Sequence, residues 1–205
     1  MHSNEEPLGL RERKKIRTRQ AIQEQALRLF AEQGYAETTT EQIAAAAEVS
    51  PSTFFRYFPT KEETVLYDPI DPVLIQIFIE QPAELAPLDA MRAAFKKVFE
   101  DIPVERTQTE LERQKIIFQI PELRSAIFER LGDIINLMAD AVARRTGRQA
   151  TDVQVRSWAG AVTGVLTAAF IDPEGRPTTH DDDFPVRMLD VADAALAHLE
   201  AGLPL

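Results

Sequence analysis

Apolar residues recur at helical spacing along almost the whole chain of 205 residues. In RTRQAIQEQALRLFAEQG (17–34), Ile22, Ala26, Leu29 and Phe30 share one face of a helical period, and Gly34 stands where a helix would end. TTTEQIAAAA (38–47) opens with overlapping capping boxes, Thr38 with Glu41 or Thr39 with Gln42, ahead of Ile43, Ala44 and Ala47. Ser50 before Pro51 reads as an N-cap followed by a proline at the first helical position. Thr60 with Glu63 forms a further box. So many helix starts in so short a stretch predict short helices joined by tight turns.

The second and third helices, about 40–47 and 51–57, are separated only by EVS (48–50), which is helix-turn-helix spacing. Within SPSTFFRYFPTKEE (50–63), four aromatic rings and Arg56 fill positions 54–58. Phe54 and Phe58 are one helical turn apart and are expected to pack on Ile43 and Phe30. Ser52, Thr53, Phe55, Arg56 and Tyr57 then point wholly or partly away from that core. Hydroxyls and backbone N–H groups bind phosphate, arginine reads guanine, and rings contact thymine methyls, so this face suits DNA. A three-helix domain whose outward aromatics touch another part of the protein fits the same pattern. Pattern alone leaves both readings open.

Beyond residue 66, prolines punctuate helices expected at about 61–67, 73–80, 88–100, 104–119 and 122–146. DPIDP (68–72) marks either a hinge or a plain surface bend. Apolar residues are abundant in this part, among them Phe78, Met91, Phe95, Phe99, Phe118, Ile135 and Met138, and core packing is their default role. A helix at about 152–171 carries a broad stripe including Trp158, Val162, Val165 and Leu166, interrupted by Gly160 and Gly164. Each glycine costs a helix about 1 kcal/mol relative to alanine, which close approach of another helix would offset. A last helix at about 185–201 places Val186, Leu189, Ala192, Leu196 and Leu199 on one face. A monomeric core would use both stripes equally well. The intervening DPEGRPTTHDDD (172–183) reads as a solvated loop, with cation binding by His180 and its aspartates the lesser alternative.

Net charge changes the picture. The total of −10 argues against a nucleic-acid partner, but its distribution does not. Residues 1–66 carry 9 basic and 10 acidic side chains, whereas 67–205 carry 14 and 23. RERKKIRTR (11–19) holds six basic residues against one acid, either a DNA-contacting arm or a solvated, disordered one. There is no cysteine, hence no disulfide or thiolate chemistry, and no run reaches the roughly 18 apolar residues of a membrane span. The three histidines lack metal-ligand spacing, and neither a nucleophile elbow nor a phosphate-cradling glycine loop occurs. A cytoplasmic, soluble, non-enzymatic protein without metal or cofactor is expected.

TTTEQIAAAAEVSPSTFFRYFPTKEETV (38–65) resembles the DNA-binding segment of the TetR family of one-component bacterial repressors, and 17–35 is similar to that family's first helix. The resemblance covers about the first 66 residues: helix lengths, the Gly34-Tyr35 stop, the aromatic core and Lys61 fall in register. It implies an all-α fold of about nine helices, with a helix-turn-helix DNA-binding domain over 1–66 and a ligand-binding and dimerisation domain over 67–205. By the same resemblance Thr40 touches phosphate, Ser50, Pro51, Ser52, Thr53, Phe55 and Arg56 face the major groove, and Tyr57 and Lys61 clamp phosphates. Glu41 occupies a place where some members carry a basic reader, and Arg13–Arg19 would add contacts in the neighbouring groove. Residues 112–147 are similar to a subgroup with acyl-CoA-like ligand-binding C-terminal domains. That similarity implies an acyl tail against Phe78, Met91, Phe95, Phe99, Phe118, Ile135 and Met138. An anionic head would then meet Arg92, Lys96 and Lys97, with Arg113 and Arg124 near, although a salt-bridged surface face would look the same. The family pairs its last two helices across a homodimer, which here implicates Trp158, Gly160, Val162, Gly164, Leu189 and Leu196. The expected partners are thus a double-stranded DNA operator, a small hydrophobic or acyl-CoA-like effector, and a second copy of the chain. An acyl-chain carrier or enzyme with an incidental helix-turn-helix head, and a drug-responsive efflux repressor, are the alternatives.

Overall fold

Capping chemistry sets the first elements. The structure, a computed structural model, describes residues 10–100, 104–171 and 184–204, with side chains except those of 10, 12, 13, 104–108 and 184–186. The loop carrying His180, and Arg13 and Val186 as side chains, lie outside the described residues. Every described element is a helix, and the chain divides into two compact units, Met1–Tyr67 and Asp68–Leu205.

The first unit comprises α1 (Leu10–Gln33), α2 (Thr40–Ala46), α3 (Pro51–Tyr57) and the single turn α4 (Glu63–Leu66). Of the two possible boxes at α2, Thr39 with Gln42 forms: Gln42 N–H donates to Thr39 Oγ1 at 3.2 Å, and Thr39 N–H to Gln42 Oε1 at 2.9 Å. Thr38 turns inward and donates to the Gly34 carbonyl at 2.8 Å, closing the turn after α1. Gly34 ends α1 in the left-handed region (φ 90), where a side chain would be strained. Between α2 and α3, Glu48 N–H reaches Ala45 O at 3.1 Å and Val49 N–H reaches Ala44 O at 2.9 Å, a Schellman closure. That closure requires φ 53 at Glu48, a conformation usually left to glycine.

Ile22, Ala26, Leu27, Phe30, Ile43, Phe54, Phe58 and Val65 form the core of this unit, so the α3 rings pack inward as expected. One boundary differs from the periodicity. α1 begins at Leu10, not near residue 17, so the described part of the basic run is helix and not a loose arm.

The second unit contains α5 (Asp71–Glu80), α6 (Pro87–Glu100), α7 (Val104–Gln119), α8 (Pro121–Glu129), α9 (Leu131–Thr146), α10 (Val153–Phe170) and α11 (Phe184–Glu200). The helix expected over 122–146 is divided at Arg130, which is both C-cap of α8 and N-cap of α9. α10 packs between α9 and α11, and α6 lies against α5 and α11. The amphipathic α6 buries Ala90, Met91, Ala94, Phe95, Val98 and Phe99. Arg145 of α9 ties down the turn after α5, donating to Gln81 O at 2.7 Å and Leu85 O at 2.9 Å.

Candidate nucleic-acid interface and ligand cavity

Ser50 caps α3 by accepting the Thr53 N–H at 3.1 Å. Its hydroxyl also lies 2.9 Å from those of Ser52 and Thr53, so the start of the helix presents a row of linked hydroxyls. Phe54 and Phe58 anchor the inner face, leaving Phe55 48% exposed with its ring edge-on to Phe54. Ser50, Pro51, Ser52 and Arg56 are exposed, and Thr40, Thr53 and Tyr57 half-buried. Arg56 lies over the Tyr57 ring at 5.4 Å.

A groove of about 960 Å³ runs beside this face. Arg11, Lys14, Lys15, Thr18 and Arg19 of α1 line one side; Glu48, Val49, Ser50, Thr53, Arg56 and Tyr57 line the other. Among the described residues it joins five cations to the hydroxyls against the single carboxylate of Glu48, within a strongly acidic chain. Such a concentration of one sign is suited to a polyanion backbone.

Two residues in this region serve the unit's own structure. Arg19, which the sequence reading placed in the arm, donates to Tyr57 O at 3.1 Å and stacks over the Tyr67 ring at 4.3 Å, pinning the end of α3 to α1. Lys61, read as a phosphate clamp, donates to Tyr35 O at 2.8 Å and Thr38 O at 3.0 Å, 4.3 Å from the centre of the Tyr35 ring. Glu41 is exposed at the start of α2, and hydrogen bonds from its own backbone, Thr39 and Thr40 hold its carboxyl below the usual range. The Thr40 hydroxyl is therefore engaged with a carboxylate 3.2 Å away, which opposes a phosphate at that position.

The second unit encloses a cavity of about 260 Å³ with walls from α5 to α11. Phe95, Phe99, Phe118 and Met138 line it as expected, together with Leu74, Ile117, Ile134, Leu166, Phe170 and Met188. Phe78, Met91 and Ile135 do not. Phe78 is fully buried and stacked 5.9 Å from Trp158, Met91 is fully buried in α6, and Ile135 packs against the core cluster. They share helices with true liners but sit on faces turned into the solid core.

One end of the cavity is polar. Arg113, buried on α7, donates through Nε to Glu110 Oε2 at 2.7 Å and through Nη2 to Asp68 Oδ2 at 2.7 Å. Burial would lower the guanidinium's pKa, but the charges of Glu110 and Asp68 raise it, so it stays protonated. Burial pushes Glu110 up, partly offset by Arg113. Asp71 keeps solvent access yet is crowded on most sides, and desolvation with the Asp68 charge pushes it up to about 7. Sequence alone points to Arg113 and gives Asp68 and Asp71 only as residues of a hinge or bend, and it carries no signal for Glu110.

The other cations suggested for an anionic head lie elsewhere. Arg92 pairs with Asp193 at 2.7 Å and Glu200 at 3.2 Å, and Lys96 with Glu100 at 3.9 Å. Arg92, Lys96 and Lys97 of α6 and Arg124 of α8 are all absent from the cavity lining, and Arg92 and Lys96 form the salt-bridged face that was the alternative. Of the residues expected in a dimer interface, Val162 and Leu196 are fully buried in the unit's own core and are unavailable to a second copy. Trp158, Gly160 and Leu189 are half-buried, and Gly164 is exposed with open space where a Cβ would stand.

Residues 22–66 match the family described as bacterial regulatory proteins, tetR family, and residues 85–204 match the MftR C-terminal domain. The chain is 38% identical over 146 residues to the HTH-type transcriptional regulator TcmR of Streptomyces glaucescens, covering 68% of this chain and 65% of that regulator. Its match thus spans just under two thirds of TcmR. It is 28% identical over 163 residues to MftR of Mycobacterium tuberculosis, covering 77% of this chain and 80% of that one. Its fold is similar to that of Thermus thermophilus FadR, a transcriptional repressor solved with lauroyl-CoA, at a TM-score of 0.52 and 22% identity over 91% and 95% of the two chains.

Proposed function

This chain belongs to the TetR family of bacterial regulatory proteins, and we propose that it is a transcriptional repressor that binds a palindromic operator as a homodimer and is released by a small apolar effector. The observation that carries the proposal is the joining of the outward face of α3 to a cationic groove. Arg11, Lys14 and Lys15 neutralise backbone phosphates, the hydroxyls of Ser50, Ser52 and Thr53 fix register, and Phe55 and Arg56 meet base edges. Tyr57 supplies a further phosphate contact, and Lys61 adds only its remaining N–H, because two carbonyls hold the others.

The cavity of the second unit is the effector site, a binding site and not a reaction centre. The lauroyl-CoA of FadR makes an acyl tail one occupant that fits the apolar walls, each buried methylene contributing about 0.8 kcal/mol. Asp68 at the polar end follows Tyr67 in the chain, and the Tyr67 carbonyl accepts the Gln23 amide of α1 at 2.8 Å. An effector that draws Asp68 away from Arg113 therefore acts one peptide bond from a hydrogen bond that holds the first unit together. Release follows to the extent that the effector binds the non-operator state better. Gly164 and the half-buried Gly160, Trp158 and Leu189 are the proposed dimer contacts.

Selection of bound duplexes from a random pool tests the proposal. An inverted repeat with half-sites about one turn apart is expected, because protein symmetry is copied in the site. Recovery of sequences without a repeat would overturn it.

A further inference from the structure

We infer that the effector cavity takes a small apolar ligand bearing a cationic amine, the amine seated among Asp68, Asp71 and Glu110 and a hydrogen-bonding group meeting the Thr163 hydroxyl. The inference rests on reading this cavity as the effector site, and it names the ligand class.

The first ground is charge. Three carboxylates, Asp68, Asp71 and Glu110, share one described cation at the polar end, Arg113. Arg113 spends Nε and Nη2 on Glu110 and Asp68. Asp68 additionally accepts the Ile70 N–H at 2.7 Å, and Glu110 the Gln114 amide at 3.2 Å. Asp71, exposed to solvent, lines the cavity and makes no hydrogen bond among the described residues. An anionic head entering here would meet net negative charge at short range, whereas an ammonium would supply the missing counter-charge and up to three donors.

The second ground is independent of charge. Thr163 of α10 is 7% exposed, lines the same cavity, and its Oγ1 has no hydrogen-bond partner. A helical threonine ordinarily donates to the carbonyl one turn earlier, as Thr167 does to Thr163 O at 2.7 Å. A buried hydroxyl without a partner is unfavourable, and a ligand polar group would satisfy it.

Size narrows the class. At about 260 Å³ the cavity falls just below the usual range of ligand sites, roughly 300 to 1,000 Å³, so a single-chain or compact amine fits better than a bulky drug. Desolvation, then the charge of Asp68, raises the Asp71 pKa although Arg113 lowers it, which agrees with a polar end whose one described cation does not offset its carboxylates. With Asp68, Glu110 and Arg113 as the charged groups facing it, an ammonium would return Asp71 to its ionised form.

The test is calorimetric titration of the full chain with decylammonium, decanol and decanoate, each below its micelle concentration, at pH about 8, where the amine is protonated and Asp71 ionised. Decylammonium should bind tighter than decanol by about tenfold or more, the range for a hydrogen bond to a charged group, with decanoate weakest. Asp71→Asn should erase most of that preference while leaving decanol affinity within about twofold. Lowering the pH to about 6 should weaken decylammonium in the native chain but not in Asp71→Asn. Preference for decanoate, equal binding of all three, or an unchanged preference in Asp71→Asn would overturn the ligand class and leave the cavity standing. Absence of binding by all three would instead overturn the reading of the cavity as an effector site.

Discussion

Replacing Lys61 by methionine separates a structural role from a DNA contact. The ammonium makes two hydrogen bonds to the carbonyls of Tyr35 and Thr38, at 2.8 and 3.0 Å, and sits 4.3 Å from the Tyr35 ring centre. Methionine keeps the stem's packing and removes all three contacts. Because Lys61 and Tyr35 are only half-buried, water can replace part of what is lost. Taking each hydrogen bond at the low end for charged groups, about 1.5 kcal/mol, and the ring contact at about 0.5 kcal/mol gives at most about 3.5 kcal/mol, which replacement by water reduces to roughly 1–3 kcal/mol. In a chain of 205 residues, about 2 kcal/mol lowers Tm by roughly 4–8 °C. Thermal unfolding followed by circular dichroism measures this, alongside operator affinity at several salt concentrations. The bracing account expects the fall in Tm with a nearly unchanged salt slope. An unchanged Tm with a slope flattened by about one per half-site would refute it and restore Lys61 as a phosphate clamp.

Three further substitutions have defined outcomes. Glu48→Gly removes the left-handed strain at φ 53 and should stabilise the chain by about 1 kcal/mol in denaturant titration, while removing the one carboxylate of the groove should also tighten binding to random-sequence DNA. Gly164→Arg meets open space within a single subunit, so the variant should fold with native helicity yet sediment as a monomer with weakened operator binding; a normal dimer would place the interface elsewhere. Asp71 titrates near 3.8 when unfolded and near 7 when folded, so between those values the native state holds more protons and stability falls as pH rises. Asp71→Asn should therefore melt higher than the native chain above pH 7, with the difference vanishing towards pH 4; a constant difference across that window would contradict the shift.

Much of the first unit was legible because short-range rules govern it. Caps at Thr39 and Ser50 and the spacing of Phe54 and Phe58 are local signals, and the structure forms each. The extension of α1 to Leu10 escaped because a run of cations with one apolar residue, Ile16, has helix-forming side chains but no periodicity to reveal it. The cavity was half legible. Periodicity finds an apolar face but cannot say which residues of that face border space and which border another helix; hence Phe95 and Phe99 were found while Phe78 and Met91 proved to be solid core. Arg113 and Glu110 were unreadable as a buried pair, since charged residues on a helix are ordinarily solvated and only the tertiary fold brings Asp68 to Arg113.

In the proposed complex α3 reads sequence and the groove holds phosphate. The most direct measurement is the affinity ratio between the selected operator and a scrambled duplex of equal length, at fixed salt, for the native chain and Arg56→Ala. The native chain should favour the operator by about a thousandfold or more, and Arg56→Ala should lose about 1–3 kcal/mol of that preference at one base pair per half-site while scrambled DNA binds nearly as before. A native ratio near one, or a ratio unmoved by Arg56→Ala, would contradict it.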